Sequence, residues 1–412
     1  MAMPPQNQER YRRFLPLPSE RSTMKALPDA ADVAIVGAGP VGLVLAGVLA
    51  KERVPFVIVD ELGEGSNTSR AAVVHARTLE VLEELQVTDR LRAEGHAVPI
   101  FTVRDRDRVL ATVHFEGLPT RYPFVLMVPQ NVTEAILLAR FRELGGDVHR
   151  PYTVTDLSQE PDRVTVTVSA REGQPQEIIA KYVIGADGMH SIVRERSGIG
   201  FTGATYEESF VLADVRMKWP LRADEVTLFF SPDGLVVVAP LPHGRYRIVA
   251  TLDDAPEHPG INDVQHLLDT RGPQTERAHI EEIAWSSRFR IHHRVADRYR
   301  NGRVLLAGDA AHVHSPAGGQ GMNTGIQDAI TLGQVLAKVL SGQEPESWLD
   351  TYEQRRRPVG QHVVALTDRM TRVATLQNRW ARLIRNTMVL LVGRIPAVQR
   401  RIARELAELR YR

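Results

Sequence analysis

Apolar β-branched residues gather in a short run from Val33 to Val36, and a second such run spans Phe56 to Val59. Between them, Val41 to Ala50 is apolar at helical spacing, so the pattern predicts a buried strand, a helix and a second buried strand. The first run ends in Gly37-x-Gly39-x-x-Gly42, and the second closes on Asp60, 18 residues beyond Gly42. This is the strand-turn-helix-strand order of a dinucleotide fold. Gly37 permits the tight turn, Gly39 lets the backbone approach a pyrophosphate, and Gly42 lets helix and strand pack closely. The helix N-terminus offers unpaired N–H groups to phosphate, and an acid at position 60 can accept from a ribose. The motif does not separate FAD from NAD. Its bland alternative is a tight turn in some other α/β domain.

Further along, Gly63 to Ser69 is rich in Gly, Ser and Asn and reads as a loop. The stretch Ser69 to Glu80 is expected to enter a helix whose apolar face continues through Leu82 and Leu85. Residues 98–128 alternate and break like short antiparallel strands. A helix is expected over Val132 to Leu144, and Arg163 to Ser169 alternates with period two, as a half-exposed antiparallel strand does. Val226 to Phe230, Leu235 to Pro240 and Tyr246 to Thr251 are strands joined by Pro-Asp-Gly and Pro-His-Gly-Arg turns. Their spacing argues for an antiparallel sheet inserted as a second domain. Residues 344–412 read as helices.

Composition narrows the picture. A chain of 412 residues, 43% hydrophobic and 25% charged, can bury a large core, most simply as two domains. The net charge of +1 provides no global field for nucleic acid. No cysteine is present, which excludes disulfides, thiolate nucleophiles and thiolate metal sites. No apolar run approaches the roughly 18 residues of a membrane span. Arg12-Arg13-x-Leu15 faintly suggests a twin-arginine signal, but Pro16 and Pro18 interrupt what would be its apolar region. Residues 1–29 are therefore read as a polar lead-in, and the protein as cytoplasmic.

Two more glycine-acid motifs follow. A buried strand runs into Asp187-Gly188 within G-A-D-G-x-x-S-x-V-R, where an acid at a strand's C-terminal end faces the ligand crevice of an open α/β sheet. The alternative is an Asp-Gly turn followed by Ser191 as a helix cap. Another buried strand ends at Gly308-Asp309, followed by Pro316-Ala-Gly-Gly-Gln320-Gly321-Met322-Asn323 and a long amphipathic helix. His312-x-His314 lacks an implied third ligand, so no metal site is expected.

These three motifs, in this order, resemble the class A flavoprotein monooxygenases, whose type member hydroxylates para-hydroxybenzoate. The stretch S-R-A-A-V-V-H-A-R-T-L-E is similar to the branch holding rifampicin monooxygenase and polyketide aromatic hydroxylases. Several members of that branch carry an extra thioredoxin-like C-terminal domain, which these 412 residues lack. The resemblance implies an α/β fold: a Rossmann-like FAD-binding domain (30–97, 129–204, 296–345), an antiparallel substrate domain (98–128, 205–295) and a helical segment (346–412). It also implies non-covalent FAD, with Gly37, Gly39, Pro40, Val41 and Gly42 at the pyrophosphate and Asp60 and Glu61 at the adenosine ribose. Arg70 and Gln130 match positions on the flavin side. Asp187 belongs to a motif tied to FAD and NADPH, and Asp309 would bind the ribityl chain. Pro316 and the Gly319, Gln320, Gly321, Met322, Asn323 loop would face the isoalloxazine ring.

The implied activity uses NADPH or NADH and O2 to hydroxylate an aromatic (phenolic or polyketide-like) small-molecule substrate through a flavin C4a-hydroperoxide. Epoxidation, oxygen insertion, dehydrogenation or a flavin-binding module without turnover remain alternatives. A homodimer is among the expected assemblies. No acid-base residue stands out. Leu228 and Phe230 share one face of their strand, as Val236 and Val238 do on the next, so Leu228, Phe230 and Val238 are expected to line an apolar pocket for a sizeable aromatic or polycyclic phenol. The alternative is that both faces simply pack against helices behind the sheet. Arg216 is the cation that would favour a small acid instead. From Thr371 onward, ten arginines stand against two glutamates. The expected reading is a solvated helical cap with its apolar side on the FAD domain, and the alternative is a basic face for an anionic membrane or a partner.

Overall fold

A computed structural model describes residues 26–63, 71–170, 173–252, 255–376 and 378–411. Strand β1 (Ala30–Val36), helix α1 (Pro40–Lys51) and strand β2 (Phe56–Val59) form the opening unit. Next come β3 (Val73–Val74), α2 (Ala76–Leu82), α3 (Thr88–Glu94), β4 (His96–Val98), β5 (Ile100–Asp105), β6 (Arg108–His114) and β7 (Val125–Met127). Helix α4 (Gln130–Glu143) precedes β8 (Tyr152–Gln159), β9 (Val164–Ala170), β10 (Gln176–Gly185) and α5 (Ile192–Arg196). The middle of the chain holds β11 (Phe201–Lys218), β12 (Glu225–Ser231), β13 (Gly234–Leu241), β14 (Arg245–Thr251), α6 (Ile261–Arg271) and β15 (His279–Ala296). Then follow β16 (Arg300–Asn301), β17 (Val304–Leu306), β18 (His312–Val313), α7 (Gly321–Leu340), α8 (Asp350–Ala374), α9 (Arg379–Val392) and α10 (Pro396–Leu406).

The first sheet is a parallel core in the order β17-β10-β1-β2, with β16 on one edge and β8 and β9 antiparallel beside β10. Its central residues are apolar and buried on both faces, as parallel strands covered by helices must be. Val36 pairs with Gly185, and Gly185 with Leu306. That register puts the C-terminal ends of β1, β10 and β17 level with one another, so all three glycine-acid motifs leave the sheet at one edge.

The second sheet runs β18-β15-β11-β14-β13-β12-β5-β6. It is antiparallel except where β5 joins β12 in parallel, Val103 beside Leu228. This corrects the expectation of antiparallel strands throughout 98–128. Its two longest strands, β11 and β15, have 18 residues each; β11 contains Arg216, as expected of a neighbouring strand, while β15 and α6 have no counterpart in the sequence pattern. Helix α6 covers one face, with Val264, Leu267 and Leu268 buried against Val236 and Val238.

The segment from Val304 to Asn323 is the seam. It begins as β17 in the first sheet, becomes β18 at the edge of the second by pairing Val313 with Arg294, and ends in α7. The expected helix from Ser69 is also revised. Val73 and Val74 pair with Met127 and Leu126 as a strand, and helical structure starts only at Ala76. Cross-strand pairing there overrides local helical periodicity.

Candidate functional site

The opening turn is sterically determined. Gly37 sits at φ +97, and a Cβ there would come within 2.4 Å of the Ala186 carbonyl oxygen. A Cβ on Gly42 would meet the Gly37 carbonyl oxygen at 1.9 Å. Gly39 is different: a Cβ on it meets nothing within 4 Å, so its backbone faces open space. Gly39 caps α1 with no side-chain hydrogen bond, and Pro40 opens the helix. Helix α7 likewise starts at Gly321 without a side-chain cap. Val41 joins the two starts, since its side chain lies 2.8 Å from where a Cβ on Gly308 would sit and 2.7 Å from one on Gly325. Two uncapped N-termini of long helices therefore converge beside the strand ends, and their free N–H groups and dipoles favour an anion.

Asp60 ends β2 and is half-buried. Its Oδ2 accepts from the Ala38 amide at 2.6 Å and its Oδ1 from the Leu62 amide at 2.9 Å. Glu61 beside it is exposed, and Arg70 lies outside the described residues. Gln130 heads α4, accepting from the Ala71 amide at 3.1 Å and donating to Glu134 at 2.8 Å. Asp187 Oδ2 accepts from the Val193 amide at 3.2 Å, while Ser191 caps α5 through the Arg194 amide. Burial raises the Asp187 pKa, opposed by hydrogen bonds from the Ser191 side chain and the Val193 amide. Asp309 is exposed at the crevice.

The loop from Pro316 to Asn323 is held from beneath. Gly318 and Gly319 have φ of +79 and +65. Asn323 is buried; it donates to the carbonyls of Val73 and Gly319 at 2.8 Å each and accepts from the His75 amide at 2.8 Å. His75 Nε2 contacts the Gly318 carbonyl at 2.8 Å, and burial lowers its pKa to about 4. Met322 is half-buried against the core. Buried Gln320 keeps an unpartnered Oε1, and His314 an unpartnered Nε2 about 3.5 Å from where a Cβ on Gly321 would lie. These polar atoms, the open Gly39 backbone and the uncapped helix starts suit a large ligand with both phosphate and polar ring edges, as FAD has.

Below the site, a charged cluster that local reading missed fixes the seam. Asp328 on α7 accepts from Arg356 Nε of α8 at 2.6 Å and lies 2.7 Å from His312 Nε2, all buried. Burial by itself would raise the Asp328 pKa, but Arg356 and His312 outweigh it and hold the carboxyl below its ordinary range. The same carboxylate accepts from the Gly308 amide at 3.3 Å.

The pocket expectation divides in two. The β12–β13 register pairs Leu228 with Val237 and Phe230 with Leu235, so those four share a face. Phe230 there belongs to a cluster with Leu110, Phe210, Leu235 and Ala374. Val236 and Val238 lie on the opposite face, packed against α6, so Val238 does not join Leu228 and Phe230. Arg216 sits at a half-exposed sheet end, 3.7 Å from Glu282. The buried cation of this sheet is mid-strand Arg247, paired bidentately with Asp214 at 2.7 and 2.8 Å. A second, Arg385 of α9, stacks 4.0 Å above the Phe230 ring.

The family model described as FAD binding domain matches residues 30–367. The 6-methylpretetramide 4-monooxygenase of Streptomyces rimosus is 39% identical over 356 residues, covering 85% of this chain and 63% of that protein. This chain thus spans under two thirds of that relative's length. The anhydrotetracycline hydroxylase structure from Streptomyces rimosus superposes with a TM-score of 0.77 at 35% identity, covering 92% of this chain and 76% of that one. The p-nitrophenol 4-monooxygenase structure from Pseudomonas putida reaches 0.83 at 26% identity, covering 93% and 98%. With three glycine-acid motifs level at one sheet edge and a family model over most of its length, the chain belongs to the FAD binding domain family, among the class A flavoprotein monooxygenases.

Proposed function

We propose that this chain is an FAD-dependent monooxygenase that uses NAD(P)H and O2 to hydroxylate an apolar aromatic or polyketide-like phenol in the cytoplasm. The observation that carries the reading is the level register of β1, β10 and β17, which gathers the three motifs beside the seam into the second sheet. Bound FAD supplies the redox chemistry, taking electrons from the nicotinamide and activating oxygen.

The chain's own part is to bind, orient and keep the reaction dry. The Gly37–Gly42 turn and the N-terminus of α1 would take the pyrophosphate, and Asp60 the adenosine ribose. Asp309 would reach the ribityl chain. The Pro316–Asn323 loop, pinned by Asn323, would present backbone dipoles to the flavin ring. Residues 98–128 and 205–295 act as the substrate domain. There Leu228, Phe230, Leu235 and Phe210 offer an apolar, aromatic wall that excludes water. Arg247 is paired with Asp214, and Arg385 is engaged by the Val373 and Ala374 carbonyls and the Asn386 side chain, so neither guanidinium is set to receive a small dianionic acid. The test is a panel of phenols with purified, FAD-loaded protein. A phenol that stimulates matched NADPH and O2 consumption and gains one oxygen supports the reading. If only small dianionic acids stimulate turnover, the apolar-pocket reading fails.

A further inference from the structure

Helix α9 is amphipathic with its apolar side turned outward. Trp380, Leu383, Ile384, Met388 and Leu391 recur at helical spacing and are 62%, 57%, 64%, 53% and 56% exposed. Ile395 continues the stripe beyond the helix end. The inward side carries Arg385 and Asn386 beside Val389, and it is anchored. Arg385 Nη1 donates to the carbonyls of Val373 and Ala374 at 3.1 Å each, and its guanidinium lies over Phe230. Asn386 donates to Asp105 of β5 at 2.8 Å. These contacts hold the stripe of α9 away from the body of the protein, whereas α10 fulfils the expected cap, with Ala403 and Leu406 buried in the core of the first sheet.

The charge around the stripe has one sign. Residues 369–404 contain nine arginines and no lysine, aspartate or glutamate. Arg379, Arg394, Arg400, Arg401 and Arg404 are exposed and form no ion pair among the described residues. A contiguous apolar stripe that contains a tryptophan and whose only charged neighbours in the segment are guanidinium groups matches the boundary between acyl chains and phosphate headgroups. A second copy of the chain would bring another set of arginines and no carboxylate from the same segment. Nucleic acid would leave the apolar stripe without a partner.

We infer that α9 and the start of α10 form a docking face for an anionic phospholipid bilayer, lying in the interface plane with the stripe in the acyl boundary and the arginines on lipid phosphates. No helix among the described residues is long and apolar enough to cross a membrane, so this is surface attachment. It is independent of the catalytic reading.

Vesicle flotation of the full chain tests it without any turnover assay. The chain should float with vesicles of equal parts phosphatidylglycerol and phosphatidylcholine at low salt, and about tenfold less with pure phosphatidylcholine. Trp380 emission should shift to the blue on binding. The double variant L383E/I384E should lose flotation while keeping its melting temperature and FAD content, because both positions are solvent-facing. R379E/R382E should lose flotation too. The inference is overturned if the chain does not float with anionic vesicles, or if L383E/I384E floats as well as the parent. A dimer in solution that L383E/I384E splits would also overturn it, by assigning the stripe to a second copy.

Discussion

Asp328 Oδ1 and Arg356 Nε lie 2.6 Å apart inside the protein and tie α7 to α8. His312 and the Gly308 amide share the same carboxylate, so one ion pair braces the start and the end of the seam. Asp328→Ala would leave Arg356 buried and unpaired, a loss of about 3–5 kcal/mol in chemical denaturation. Replacing both, as Asp328→Leu with Arg356→Met, should recover much of that loss. Equal instability of the single and double variants would show that the pair is not the source.

Gly39 and Gly42 should separate folding from cofactor binding. A Cβ on Gly42 collides with the turn's own backbone, so Gly42→Ala should lower both stability and FAD content. Gly39 has open space and an ordinary φ of −72, so Gly39→Ala should melt normally without cofactor. Its added methyl would occupy the pyrophosphate's approach and weaken FAD about tenfold or more in a fluorescence titration. Unchanged affinity would remove the pyrophosphate from this turn. Asp60→Ala should also weaken FAD, by loss of an acceptor for the ribose.

Phe230 and Val238 provide a matched pair on opposite sheet faces. Phe230→Ala opens a cavity worth about 3 kcal/mol and frees Arg385 from its ring. It should also change the ranking of phenols or raise uncoupled peroxide release with FAD still bound. Val238→Ala should cost about 2 kcal/mol and leave that ranking alone, because it faces α6. Identical substrate profiles for both variants would place the pocket elsewhere.

Buried histidines and a buried glutamate should pull stability in opposite directions as pH changes. Burial lowers His75 and His314 to about 4, so between pH 4 and 6.5 the unfolded chain binds more protons at both, and stability rises with pH. Burial raises Glu408 to about 8, opposed by Arg356 and the Gln327 hydrogen bond. Between pH 4.5 and 8 the folded chain holds that extra proton, so this group's contribution falls as pH rises. The glutamate opposes the two histidines, and its own contribution falls by up to about 1.4 kcal/mol per pH unit as pH rises. Glu408→Gln should flatten the decline between pH 6.5 and 8 in urea titrations. An unaltered decline would rule out Glu408 as its cause.

Residue order alone determined what is local. The β-branched runs, the glycines at Gly37 and Gly42 and the strand-ending acids Asp60, Asp187 and Asp309 each follow from periodicity or turn sterics within a few residues. So the dinucleotide unit, the α/β class and the family were legible before any coordinates. Tertiary structure decided what depends on pairing across long separations. The β12–β13 register set Val238 against α6 rather than beside Phe230, since a one-residue offset in register reverses the face a side chain takes. Pairing with β7 made Val73 and Val74 a strand despite their helical spacing. The buried charges of Arg247, Arg356 and Arg385 could not be told from surface arginines, because each is buried only beside a partner supplied by a distant segment. The outward stripe of α9 is the same case: its amphipathic pattern is plain in the sequence, but only the anchoring of Arg385 and Asn386 decides which side meets the protein.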